Sequence, residues 1–141
     1  MRPTVAITTA VLALTTFPSL ARACKCAPNP TADAILASAA SVFTGTVRAV
    51  ETIAPGQSVT TFVVREPFKG APRGAVVNVH HVSGPAASCG VTFAYGESYT
   101  IAASLERGAL WTSRCSTWMF LPGNEQSGDL IARMRSLRRR Q

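Results

Sequence analysis

Four cysteines stand at positions 24, 26, 89 and 115 of a 141-residue chain, and the first of them follows a stretch laid out like an export signal. Arg2 supplies a short positive start, Val5–Leu14 an apolar segment carrying Thr8 and Thr9, and Ala21-Arg22-Ala23 a small-x-small site suited to a signal peptidase. Residues 1–23 are therefore read as a signal peptide, with the mature chain beginning at Cys24. A buried N-terminal helix is one other reading. A lipoprotein leader is another, but it wants Leu three residues before the cysteine and a small residue two before, where Ala21 and Arg22 stand. The expected location is secreted, extracellular or periplasmic, with lipid anchoring at Cys24 as the lesser alternative.

All four cysteines fall after the cleavage site, and an even number in a small exported domain reads as two disulfides. Pairing Cys24 with Cys26 would close a strained ring, so the N-terminal pair reaches out to Cys89 and Cys115, in either order. A zinc ribbon or finger is disfavoured, because it wants closely spaced cysteines at both ends. Two bridges of this length would pin the new N-terminus onto the body.

That body is one domain's worth of chain, and with 47% hydrophobic and 15% charged residues it should bury a core rather than stay disordered. No apolar run reaches the roughly 18–20 residues of a membrane helix, since Val5–Leu20 is broken by Thr pairs and Pro18. After Cys26, Ala27-Pro28-Asn29-Pro30 predicts a stiff extended ridge. Thr31 can cap a short Ala-rich helix over Ala32–Ser41. Period-two alternation then predicts strands from Val42 through Ala49, over Ser58–Phe68 and over Val76–Val82, and two shorter strands over Tyr99–Ala103 and Leu110–Ser113. Turns at Ala54-Pro55-Gly56, Lys69–Gly74 and Glu106-Arg107-Gly108 punctuate them, and a loop, Ser83–Ser88, runs into Cys89. The expected fold is mainly β, a small five-stranded barrel with a short N-terminal helix and a C-terminal helix over Asp129–Arg140. Trp111 and Trp118 are expected to cover the barrel. One domain over 24–141 with a basic helical tail from about 128 accounts for the chain.

The net charge of +7 belongs mostly to that tail. Removing Arg2 and Arg22 with the leader leaves twelve basic against seven acidic residues, and Gly128–Gln141 alone holds five arginines and one acid. The remaining body is close to neutral and lacks the footprint of a nucleic-acid binder. Arg133, Arg135, Arg138, Arg139 and Arg140 have two readings: a contact for an anionic envelope or acidic glycan, or the solvated face of a helix packed through Leu130, Met134 and Leu137. No catalytic constellation is apparent. The seven acids are scattered, Ser88 lacks a nucleophile elbow, and the cysteines are spent on bridges. Adjacent His80 and His81 on a strand face opposite ways, one expected packed and one solvated. An enzyme is the poorest class on offer, and no cofactor is expected.

The mature N-terminus is the informative feature. A terminal amine, a bridged cysteine and a rigid proline ridge coincide there. An α-amino nitrogen and the carbonyl oxygen of the same residue form a five-membered chelate with a metal, and catalytic zinc sites keep one coordination position open. The amine's reference pKa of about 7.7–8.0 makes its deprotonation inexpensive. The bland alternative is that Cys24 and Cys26 merely staple the chain end.

Cys24-Lys25-Cys26-Ala27-Pro28 at this position resembles the C-x-C-x-P opening of the tissue inhibitors of metalloproteinases, in the netrin-like module superfamily. Further stretches follow in the order that family has them. Phe68-Lys69-Gly70 resembles its aromatic-Lys-Gly, and Ser88-Cys89-Gly90 its loop Cys-Gly. Tyr99-Thr100-Ile101-Ala102, Gly108-Ala109-Leu110 and Thr112-Ser113-Arg114-Cys115 resemble its later strands. The match covers nearly all of Cys24–Leu121.

The resemblance implies a five-stranded OB-like β-barrel and bridges joining Cys24 to Cys89 and Cys26 to Cys115. It implies a secreted metalloprotease-inhibitor-like protein whose Cys24 amine and carbonyl ligate the zinc of a partner metalloendopeptidase, in trans. Lys25 would probe the primed-side pocket, Cys26, Ala27 and Pro28 would continue the ridge, and Ala86, Ala87 and Ser88 would form the adjacent contact loop. A monomer is expected. The alternative is a non-inhibitory netrin-like adhesion or envelope-binding module that works through the basic tail.

Overall fold

The computed structural model describes residues 24–26, 28, 30–84, 89–121 and 123–140. The proposed signal peptide, Ala27 of the ridge, and Ala86, Ala87 and Ser88 of the contact loop lie outside the described residues. So does the side chain of Trp118.

Thr31 opens the first helix, α1 (Ala32–Ser38), by accepting the Ala34 N–H on its Oγ1 at 3.2 Å. Helix propensity alone would carry the Ala-rich run on to Ser41. The helix instead stops at Ser38, because Ala39 is extended and the Ala40 N–H is donated to Ala103 O at 2.8 Å. Pairing with the sheet takes the end of the run into the first strand.

Five strands follow: β1 (Ser41–Ala54), β2 (Gln57–Lys69), β3 (Val76–Val82), β4 (Ser98–Glu106) and β5 (Ala109–Thr112). All five lie where the alternation predicts strands, but β1 runs five residues past Ala49 and β4 three past Ala103, because pairing with β2 and β5 carries them on into exposed ribbon. β1 pairs antiparallel with β2 along its length and with β4 through Ser41–Thr46. β2 pairs antiparallel with β3, and β4 with β5. β5 runs parallel to β3 from Val79↔Leu110 to His81↔Thr112, which closes the sheet into a ring in the order β1-β2-β3-β5-β4. β1 is flanked on both sides through Ser41–Thr46, while its exposed far half, from Arg48 to Ala54, pairs with β2 alone among the described strands. Register shifts between Thr44 and Gly45 and between Val47 and Ala49 bend β1 so that it can serve two partners. Gly45 is needed at the bend, since a Cβ there would lie 2.9 Å from Phe43 Cε2.

The sheet buries both faces. Inside the ring, Phe43, Val47, Phe62, Val64, Val79 and Ile101 pack together. The described residues between β3 and β4 form no strand, yet Val91 and Phe93 among them enter this interior. Phe93 sits edge-on to Phe62, His81 and Tyr99, with ring centroids 5.2, 4.9 and 5.1 Å away. Outside the ring, Val42, Phe68 and Ala102 meet Ala32 and Ile35 of α1, together with Met119, Phe120 and Met134. Strict alternation therefore breaks at the start of β1, where Ser41, Val42 and Phe43 are all buried.

The chain ends in α2 (Arg114–Thr117), a 3₁₀ turn (Trp118–Phe120) and α3 (Ser127–Arg138). α3 starts and stops slightly earlier than its apolar spacing predicts. It seats Met134, fully buried, against the outer core, with Leu130, Ile131 and Leu137 beside it. Arg135 grips Glu66 of β2 through two hydrogen bonds of 2.8 and 2.7 Å, and Arg138 donates to Pro67 O at 2.6 Å. The paired guanidinium holds the Glu66 carboxyl below the usual carboxylate range.

The two histidines do face opposite ways. His81 is buried inside the ring, with Nε2 2.8 Å from Thr60 Oγ1. His80 differs from the solvated residue the strand alternation predicts: it is half-covered on the outer face, 5.0 Å from the Trp111 ring, because β5 lies beside it. Trp111 is likewise half-buried on the outer face.

Burial pushes His81 below the ordinary imidazole value, since a charged ring inside the sheet loses its hydration. The unfolded chain therefore takes up a proton below about pH 6.5 that the folded protein refuses, so stability is complete above that value and declines as pH falls through the folded pKa. Thermal melts should show a flat Tm from pH 8 to about 6.5 and a progressive fall below it, and His81→Gln should flatten the upper part of that fall.

Candidate functional site

Cys24, Lys25 and Cys26 form an irregular segment with no helix or strand of its own. Side-chain anchors hold it instead. Cys24 is bonded to Cys89 and Cys26 to Cys115, with Cα atoms 5.1 and 4.9 Å apart. Of the two pairings that spacing left open, the protein has this one. Both bridged cysteines are half-buried, and Lys25 between them is exposed. Pro28 is also exposed, and Pro30 is half-buried where the chain turns into α1.

The two anchors are neighbours for reasons that lie elsewhere in the chain. Cys89 stands in the loop between β3 and β4, and Cys115 is in α2, directly after β5. The parallel pairing of β3 with β5 brings these two chain ends to one side of the ring. The Arg114 N–H then donates to Cys89 O at 3.1 Å, tying one anchor to the residue before the other. Cys89 adopts a φ of 60°, a left-handed conformation that a non-glycine residue takes at some cost. Gly90 beside it has no Cβ, which would meet Gly84 O at 2.8 Å. The next residue, Val91, donates its N–H to Val82 O at 3.0 Å and returns the chain to the sheet. On the other side, Thr117 Oγ1 donates to Ser113 O at 3.0 Å and secures α2.

The bridges bring the sulfurs together. Cys24 Sγ lies 3.3 Å from Cys115 Sγ, a packing contact, since neither sulfur carries a proton. The sulfurs of Cys24, Cys26 and Cys115 lie within 4.8 Å of one another, a spacing that thiolates could use for a metal. All are oxidised, however, and the thiolate is the metal-binding form. What the segment offers to a partner is its backbone and Lys25.

A groove of about 350 Å³ runs alongside, lined by Pro30, Ala34, Ile35, Ala102, Cys115 and Met119 among others, with no charged residue in its wall among the described residues. Sequence reasoning missed this groove. Its walls come from α1, β4 and α2, and no local signal marks residues that meet only after the sheet has closed.

The basic tail is largely engaged with the body. Arg135 and Arg138 hold β2, and Arg133 lies 3.5 Å from Asp33 of α1. Arg139 and Arg140 are exposed past the end of α3. No helix among the described residues is long and apolar enough to cross a membrane. Comparison with protein-family models finds no match, and neither does comparison with curated proteins.

The two bridges close loops with sequence separations of 65 and 89. In the chain-entropy account each such loop contributes about 4 kcal/mol. Replacing Cys26 and Cys115 together by Ala should lower the unfolding free energy by about that amount in urea titrations, while the Cys24–Cys89 bond persists in a non-reducing peptide map.

Proposed function

We propose that this protein is an exported inhibitor of zinc endopeptidases, built on an OB-like barrel of the netrin-like kind and acting through a free N-terminus at Cys24. The observation that carries the reading is the placement of Lys25: exposed, between two half-buried cysteines that are each bridged to a different anchor on the closed sheet. The ordered resemblance to the tissue inhibitors of metalloproteinases supports it from the sequence side.

With cleavage after Ala23, the Cys24 amine and carbonyl oxygen would meet a protease zinc as a bidentate ligand and occupy the position its catalytic water needs. The protein's contribution is rigidity. Both ends of a three-residue segment are covalently fixed, so little backbone entropy remains to be lost on docking. Lys25 follows the chelating residue and would enter the adjoining pocket. An ammonium buried without a partner costs several kcal/mol, so the matching pocket carries a carboxylate. The target is therefore a zinc endopeptidase with an acidic primed-side pocket.

Oxidised protein beginning at Cys24 should inhibit such an enzyme, and the same protein with one added N-terminal Ala should lose nearly all potency. Equal potency of the two forms would rule out the chelation mechanism. Only the unprotonated amine has a lone pair to give, so the inhibition constant should improve about tenfold per pH unit as pH rises towards about 7.7–8.0 and level off above it. Lys25→Thr should weaken inhibition of the enzyme with the acidic pocket and strengthen it against one whose pocket is apolar, read as inhibition constants on the two.

A further inference from the structure

α1 separates two grooves. Ala34, Ile35 and Ser38 face the one beside Cys115, and Asp33, Leu36 and Ala37 face another, bounded by the end of β2, the turn after it and the end of α3. This second cleft has a volume of about 790 Å³. That lies within the roughly 300–1,000 Å³ of small-molecule sites, which pair apolar walls with a few polar groups. Its walls are Leu36, Ala37, Phe68, Pro72 and Leu137, and its cations are Lys69, Arg138 and Arg140.

Charge decides what such a cleft takes. Among the described residues Asp33 is the one acid in its lining and already faces Arg133 at 3.5 Å, so these residues carry three positive charges against one negative. Lys69 donates to Leu36 O at 2.6 Å and Arg138 to Pro67 O at 2.6 Å, so each spends part of its donor set on a backbone carbonyl. An ammonium has three N–H donors and a guanidinium five, and the remainder are available to a ligand. The C-terminal ends of α1 and α3 both border the cleft and contribute at most about half a negative charge each. The balance stays positive.

We infer that this cleft binds a small anionic amphiphile, an apolar body ending in a carboxylate, free in solution. The apolar body packs between Leu36, Phe68 and Leu137, and the carboxylate meets Arg140 and the spare donors of Lys69 and Arg138. Neither the Cys24 segment nor the groove beside Cys115 takes part, so the site is independent of the inhibitor reading.

Calorimetric titration of the full oxidised protein with decanoate, below its micelle concentration and at low salt, tests this. Decanoate should bind saturably at one site, at least about tenfold more tightly than acetate or decyltrimethylammonium, and more weakly as salt screens the cations. Arg140 is exposed, and Arg140→Ala should weaken binding about three- to fivefold, as the loss of one exposed charge pair does. Ala37 is exposed on α1 and lies outside both cores, so Ala37→Trp should fill the cleft and abolish binding while the circular dichroism spectrum stays native. No saturable binding of decanoate, equal binding of decyltrimethylammonium, or unchanged affinity in folded Ala37→Trp would each overturn the inference. Co-sedimentation with phosphatidylglycerol vesicles in the absence of decanoate binding would also overturn it, in favour of a membrane surface.

Discussion

The conformation of the Cys24–Cys26 segment depends on two covalent anchors standing side by side. Cys24, Lys25 and Cys26 have no strand partner and no helix, and Pro28 and Pro30 withhold two backbone donors from the residues that follow. Hydrogen bonding alone would leave such a segment free. Cys89 and Cys115 can hold it because the Arg114 N–H to Cys89 O bond and the β3–β5 pairing place those two residues side by side in the folded protein. The geometry of the candidate site thus rests on the closed sheet and the disulfides together.

Closure of the sheet explains much else. Once β5 lies parallel to β3, the interior must be filled, and part of the filling comes from Val91 and Phe93 in a stretch with no regular structure. The outer face of β1 and β4 must also be covered, and α1, α3 and the turn through Met119 and Phe120 cover it. The arginines of α3 follow from that arrangement. A helix held against β2 by Met134 and Leu137 places Arg135 opposite Glu66 and Arg138 opposite the Pro67 carbonyl, so much of the tail's charge is used in docking the helix. The last arginine instead borders a cleft whose other cations are partly engaged with backbone. One run of charge serves both attachment and a basic rim.

Much of this was legible along the chain. The five strands announce themselves by alternation and by Gly- and Pro-containing turns, as does α1 by Thr31 and α3 by Leu130, Met134 and Leu137. Readings failed where a distant partner overrode a local preference. Ala39 and Ala40 favour helix, and the pairing of Ala40 with Ala103 took them from it. His80 stands where alternation predicts solvent, and Trp111 half-covers it. Val91 and Phe93 alternate with exposed Thr92 and Ala94, but four residues between loops are too short a run to mark them as interior filling without the closed sheet around them.

The sequence by itself determined which residues are strands and turns, that four cysteines follow an export-like leader, and that the positive charge gathers at the C-terminus. These are properties of spacing and composition, readable without contacts. Only the tertiary structure decided which cysteine meets which, which arginines are engaged, and where the grooves on either side of α1 open. Each of those depends on residues far apart along the chain, 33 positions for Leu36 and Lys69 and 89 for Cys26 and Cys115, and such contacts exist only once the sheet has closed.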